Sequence, residues 1–206
     1  MKKFIFLPTA LMLYLFTTTN VSAQTFAALG AGAKKNEIVV KSNTGKEKEQ
    51  SFLERYYDLR ETYPPLMEVH GIYAASSQSK AKFIERFNQI KAAYPKLKQV
   101  HGNYAGSAYT LEEFIKRYYE IHDTYPDLQK YYGDYAASKK SLADFIKRYY
   151  EVKDSAPDLE SVYGEYAASD NPLPEFSARY YGVIASKTGM KNSEGCYAGC
   201  TKKLSN

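Results

Sequence analysis

The side chains best suited to chemistry in this chain are arginines that precede two aromatic residues at a fixed spacing. The triplet is Arg-Tyr-Tyr in four places and Arg-Phe-Asn in the fifth. Guanidinium groups bind anionic groups, and tyrosine rings offer flat faces for stacking. A ladder for an anionic or carbohydrate ligand would comprise Arg55, Arg86, Arg117, Arg148 and Arg179 with Tyr57, Tyr119, Tyr150 and Tyr181.

A structural interpretation of the same triplets is also open, and the pattern favours it. On a helix, the first aromatic residue lies on the apolar stripe, while the arginine and the second aromatic point to opposite sides of that stripe. The arginine would then lay its methylene stem along the edge of the core and pair with an acid. Glu120 and Glu151 follow Arg117 and Arg148 at the three-residue spacing that such pairs use.

Two cysteines near the C-terminus form a second candidate site. Cys196 and Cys200 lie in the segment Gly-Cys-Tyr-Ala-Gly-Cys. In an exported protein, this spacing predicts one short disulfide, with free thiols or an intermolecular bridge as alternatives. We expect no metal, because two cysteines provide half of a zinc set and no histidine is close in sequence.

No catalytic constellation is evident, and we predict neither enzyme activity nor a cofactor. The chain has three histidines, and two of them, His70 and His101, occupy a position that tyrosine fills in later copies, Tyr132 and Tyr163. Such a position is typical of packing. The known nucleophile, phosphate-loop and metalloprotease motifs are missing from the sequence.

The elements that carry these residues are tandem copies of a 31-residue unit. Phenylalanine recurs at this spacing at Phe52, Phe83, Phe114, Phe145 and Phe176, as do the five arginines. A fixed period of this size is typical of repeat architectures. Four copies and a truncated fifth one fill residues 51–190, and a tail at 191–206 carries the cysteine pair.

Each copy is predicted to fold as two helices. Phe114, Tyr118 and Ile121 fall on one helical stripe, and Thr110 three residues before Glu113 predicts a capping box. A second helix is expected to begin around 124–127, where Thr124 three residues before Asp127 predicts another capping box. The repeated glycine, Gly133 in this copy, either ends that helix or marks a close helix contact, and the pattern favours the contact.

Helix pairs of this length bury their apolar stripes by stacking on neighbours. We therefore predict an all-α fold, a short α-solenoid of tandem two-helix repeats. The first and last copies diverge most, which suits terminal repeats that face solvent.

The N-terminus predicts export. Residues 1–23 combine a basic start, a short apolar run and a small-residue cleavage pattern, as in a secretory signal peptide. The apolar run is too short to span a membrane. Residues 24–50 are predicted to form a flexible leader. The protein is thus expected to be secreted or periplasmic, with no transmembrane anchor after cleavage.

These features together predict a non-enzymatic interaction module that binds another macromolecule, a protein first and a glycan or anionic polymer second. The net charge of the full chain is +5, and no long basic run accompanies it, so nothing specific indicates nucleic acid. Two alternatives remain: a multicopy secreted peptide precursor, suggested by the dibasic pairs before Tyr118 and Tyr149, and a small extracytoplasmic enzyme.

Overall fold

The computed structural model describes residues 49–186, 188–190 and 192–205, without the side chain of Met67. Within these ranges the regular structure is helical, and strands are absent. The predicted all-α class is confirmed. The signal peptide and all of the leader except Glu49 and Gln50 lie outside the described residues. In the described part of the chain, no helix combines the length and the apolar character needed to cross a membrane.

Long and short helices alternate along the chain. The long helices are α1 (Phe52–Thr62), α3 (Lys80–Ala93), α5 (Leu111–Thr124), α7 (Leu142–Ser155) and α9 (Leu173–Ala185). The short helices are α2 (His70–Ala75), α4 (His101–Gly106), α6 (Tyr132–Ala137), α8 (Tyr163–Ala168) and α10 (Glu194–Gly199). Each long helix packs against the short helix that follows it.

The long helices begin and end as their sequences predict. At the start of α5, Thr110 accepts a hydrogen bond from the Glu113 N–H, and the Glu113 carboxylate accepts one from the Thr110 N–H. The helix ends at Thr124, two residues before Pro126. The apolar stripe is buried: Phe114 and Ile121 have no exposed surface.

The predicted second helix is instead divided in two. Segments of 3₁₀ helix, Pro64–Val69, Lys98–Val100, Pro126–Tyr131 and Pro157–Val162, precede four of the short α-helices. The break in the third copy lies at Leu128, whose φ of −97° and ψ of 25° are not helical and whose side chain is buried. The predicted side-chain cap at 124–127 is also wrong, because the Thr124 hydroxyl donates back to the Glu120 carbonyl.

The short helices form a closed circuit of contacts. Helix α2 contacts α4, α4 contacts α6, α6 contacts α8, α8 contacts α10, and α10 returns to α2. Phe52 and Tyr56 of α1 share a buried cluster with Val183 and Tyr197 from the other end of the chain. The expectation that the first and last copies face solvent as free ends is therefore wrong, because these two copies cover each other.

Helix α10 was not anticipated. It lies in the segment 191–206 that the sequence suggested was a tail, and it places Gly195 and Tyr197 in the positions that Gly164 and Tyr166 hold in α8. The fifth copy thus has a long and a short helix like the other four, although no 3₁₀ segment is found in the described residues between them.

Candidate functional site

Two of the five arginines, Arg55 and Arg86, are buried and the other three are half-buried, and each contacts the short helix of its own pair. The Arg117 guanidinium donates to the carbonyls of Tyr135, Ala136, Ser138 and Lys140 at 2.7 to 3.3 Å. Its central carbon lies 4.2 Å from the centre of the Tyr135 ring. Since the last carbonyls of a helix lack partners within it, this guanidinium caps the end of α6.

The other four arginines repeat this contact. Each donates to the carbonyl of the tyrosine 18 residues later: Arg55 to Tyr73 at 3.0 Å, Arg86 to Tyr104 at 2.8 Å, Arg148 to Tyr166 at 3.2 Å and Arg179 to Tyr197 at 2.9 Å. Each also stacks on that tyrosine's ring, at 4.1 to 4.2 Å. The donors needed for a ligand ladder are therefore directed into the fold.

The acid expected to pair with Arg117 has another partner. Glu120 accepts a hydrogen bond from the Tyr135 hydroxyl. Burial, followed by this bond, raises the pKa of Tyr135 well above its ordinary value. The arginines are held by backbone carbonyls instead of carboxylates, which favours the structural interpretation of the triplets over the ligand ladder.

The second tyrosines of the triplets lie outside the core. Tyr119, Tyr150 and Tyr181 expose 44%, 46% and 45% of their surfaces. The Tyr181 hydroxyl donates to the Asp158 carboxylate of the preceding helix pair. Tyr57 is less exposed, and its hydroxyl donates to the Thr188 carbonyl. The Tyr57 and Tyr181 rings therefore lie at boundaries between helix pairs.

The histidines predicted to pack do so. The His70 Nε2 atom lies 3.1 Å from the Tyr63 carbonyl oxygen, and the His101 Nε2 atom lies 3.0 Å from that of Tyr94. In the third copy the Tyr132 hydroxyl makes the equivalent bond, to the Tyr125 carbonyl at 3.1 Å. Tyrosine can replace histidine at this position because both side chains reach the equivalent carbonyl from a buried ring.

The predicted disulfide is absent, and both Cys196 and Cys200 are free thiols. Cys196 lies inside α10, whereas Cys200 is its C-cap and has extended backbone angles, φ −98° and ψ 168°. The Cys200 thiol is directed to the Tyr197 carbonyl, 3.4 Å away, and an Arg179 nitrogen lies 3.9 Å from its sulfur. Cys200 thus occupies the position that serine holds in the other copies, where it helps to end the short helix.

An open pocket, called the central cavity below, is lined by residues of all five short helices, and the sequence did not predict it. Its volume is about 350 Å³, and a second pocket of about 210 Å³ adjoins it. Both are lined by the same five residues, one from each short helix: Ile72, Asn103, Asp134, Glu165 and Cys196. These residues follow each other at intervals of 31 positions, so the repeat period could have grouped them. Because their residue types differ, however, nothing in the sequence marked them as a common site.

Glycines make room for these central side chains. A Cβ atom on Gly164 would lie 2.0 Å from an Asp134 carboxylate oxygen, and one on Gly195 would lie 3.0 Å from the Glu165 carboxylate. The glycine in each helix therefore marks a close approach of its neighbour, as favoured from the sequence.

Two carboxyl groups and a thiol share the centre of the cavity. Burial, with the nearby Glu165 charge, raises the pKa of Asp134 well above its ordinary value. Burial likewise raises the pKa of Glu165, which Lys130 partly offsets. The Cys196 thiol has a raised pKa because of burial and the negative charges of Glu165 and Asp134.

Comparison with known proteins adds no relative from which a role can be transferred. No protein-family model, curated protein or solved structure matches the chain. Function must therefore be argued from these two features, the exposed tyrosines and the central cavity. The cavity does not gather three metal ligands: among the described residues, no such group of histidine, cysteine, aspartate or glutamate is placed to hold an ion.

Proposed function

We propose that this protein is a secreted, non-enzymatic interaction module, a stack of two-helix repeats that binds a protein partner through its exposed tyrosines. The single observation that supports the proposal is the 44–46% exposure of Tyr119, Tyr150 and Tyr181. Tyrosine is enriched at protein interfaces because its ring contributes a large apolar area at low entropic cost, while its hydroxyl tolerates water.

The surroundings of these rings support a protein partner. Ile184 is also 49% exposed and follows Tyr181 on α9, adding an aliphatic contact of the kind that interfaces bury. Lys153 lies over the Tyr150 ring at 5.7 Å, and Asp158 accepts from the Tyr181 hydroxyl. Both charges lie beside the rings, as in the polar rim of an interface.

A glycan partner is the second candidate, favoured by the same rings as stacking platforms. The arginine ladder no longer contributes to it, because the guanidinium groups are directed to backbone carbonyls. The two partners are distinguished by chemistry: a protein partner should survive treatment with glycosidases, whereas a glycan should be lost.

The test replaces Tyr150 with a photo-crosslinking phenylalanine and exposes the protein to envelope and host extracts. We expect a specific protein adduct that is lost when Tyr119 and Tyr181 are both changed to serine. A crosslinker at exposed Lys139, which lies between α6 and α7 and outside the long helices that carry these tyrosines, provides the matched control. Equal adducts from both positions, or an adduct unaffected by the serine substitutions, would contradict the proposal.

A further inference from the structure

We propose that the central cavity is a binding site for a small organic cation with several N–H donors, such as a diamine or an alkylguanidine. This site is independent of the tyrosine surface. The inference rests on the size of the cavity, the hydrogen-bonding capacity of its wall and the charge at its centre.

The cavity has the size that such a ligand needs. Its 350 Å³ lies at the lower end of the range of about 300–1,000 Å³ that is typical of small-molecule sites. Ile72 and the alanines Ala75, Ala137 and Ala168 give part of its wall an apolar character. A short methylene chain would be buried against these side chains.

The donors of the wall are engaged within the protein. Four serine hydroxyls donate to tyrosine carbonyls three residues earlier: Ser76 to Tyr73, Ser107 to Tyr104, Ser138 to Tyr135 and Ser169 to Tyr166. The Asn103 amide donates to Asp134 at 3.0 Å, and the Cys200 thiol to the Tyr197 carbonyl. The wall therefore has little left to offer a ligand that accepts hydrogen bonds.

The acceptors, in contrast, have unused capacity. Among the described residues, no other side chain donates a hydrogen bond to the Glu165 carboxylate. One oxygen of Asp134 accepts from Asn103, and the other lies over Gly164. A ligand that matches this wall must bring donors, and ammonium and guanidinium groups bring three to five each.

The charge at the centre favours the same class. Burial, and then the negative charge of Glu165, raise the pKa of Asp134, and the positive charge of Lys130 only partly offsets this. At the rim, Asp170 is already paired with Lys140 at 2.5 Å. An organic cation between the two central carboxyl groups would supply the opposite charge that buried carboxylates require.

Isothermal titration calorimetry on the purified protein tests the site with agmatine, which has an ammonium group at one end and a guanidinium group at the other. Putrescine is the second probe, and 1,4-butanediol is its neutral counterpart of matched length. We expect the two cations to bind and the diol to give no heat. Because bound cation favours ionised carboxyls, binding near pH 6 should release protons, detected as a dependence of the heat on the buffer.

Glu165→Gln should weaken agmatine about tenfold or more, since the isosteric amide keeps the shape and loses the charge. Exposed Glu160→Gln is the matched control and should bind agmatine normally. A variant with both Tyr119 and Tyr181 changed to serine should also bind agmatine normally, because the cavity is independent of the tyrosine surface. Thermal melting of each variant establishes that it is folded. Binding of butanediol as tight as that of putrescine, or a folded Glu165→Gln variant with unchanged affinity, would overturn the proposal. So would a response to calcium or magnesium chloride with none to either amine.

Discussion

Gly71 of the first short helix lies directly against Ser193, immediately before the last one: a Cβ atom on Gly71 would be 2.6 Å from the Ser193 Cβ. The interior contacts are of the same kind, since a Cβ on Gly133 would be 2.9 Å from a Val100 methyl carbon. The contact that closes the circuit is therefore as tight as the contacts within it.

Replacing Gly71 with valine should destabilise the protein by about 1–3 kcal/mol or more, because the added carbons overlap a backbone-adjacent neighbour. Urea unfolding monitored by circular dichroism measures the change. Gly182→Ala is the matched control: nothing lies within 4 Å of its Cβ position on α9, so alanine should be neutral or stabilise the helix by up to about 1 kcal/mol. Equal stability of both variants would mean that the first and last copies do not close together in solution.

Arg117→Met and Arg148→Met should each lower the free energy of unfolding by about 2–4 kcal/mol. Methionine keeps the apolar stem but removes the charged donor from the carbonyls that follow α6 and α8, such as those of Lys140 and Asn171. Exposed Lys116→Met, next to Arg117, is the control and should change stability by less than about 0.5 kcal/mol. If the arginine variants melted like the original protein and lost a ligand instead, the ladder interpretation would be restored.

The protein should contain two free thiols. Intact mass measured without reductant should show no loss of two hydrogens, and both cysteines should react with iodoacetamide after unfolding. In the folded protein Cys196 should react slowly, because its pKa is raised by burial and then by Glu165 and Asp134, which leaves less thiolate. Glu165→Gln should therefore accelerate the alkylation of Cys196. A disulfide-bonded mass, or a rate in the folded protein equal to that in urea, contradicts this expectation.

Stability should fall as the pH rises above about 4. Asp134 and Glu165 have pKa values above their ordinary ones. At pH values between the unfolded-state and folded-state pKa, the folded protein therefore binds more protons than the unfolded chain. The unfavourable contribution of these two groups to the free energy of unfolding is small below their pKa in the unfolded chain. It grows with pH until their pKa in the folded protein is passed. In urea titrations from pH 4 to 8, the Asp134→Asn and Glu165→Gln variants should lose less stability than the original protein. A parallel pH dependence for Glu165→Gln and Glu160→Gln would contradict the assignment.

The parts of the fold readable from the sequence are those fixed by local chemistry. The stripe that contains Phe114, the cap at Thr110 and the stop before Pro126 depend on residues a few positions apart, and all three were predicted. The close approach at Gly133 was also inferred. In contrast, the break at the buried Leu128 has no short-range signal in the sequence.

The closure and the cavity depend on geometry that a period does not specify. Identical spacing fits an open stack or a closed circuit, because the angle between neighbours is set by side-chain volumes at contacts such as Gly164 with Asp134. Helix α10 was readable in principle, since Gly195 and Tyr197 continue the 31-residue spacing. The cysteines at 196 and 200 drew attention to a disulfide instead, although they simply occupy the positions of Glu165 and Ser169 one copy later.

The backbone contact between the two ends of the described chain has a genetic consequence. Phe52 and Leu53 donate their N–H groups to the carbonyls of Lys203 and Leu204 at 2.8 and 2.9 Å, and Glu49 pairs with Lys202 at 3.2 Å. The helix pair with which a gene begins is thus nearly arbitrary, provided that the order around the circuit is kept. A permuted gene that joins these ends and starts anew at the exposed Lys139 should encode the same folded protein. Adding or deleting one unit, a change that open arrays accept, would alter the circumference and the cavity together.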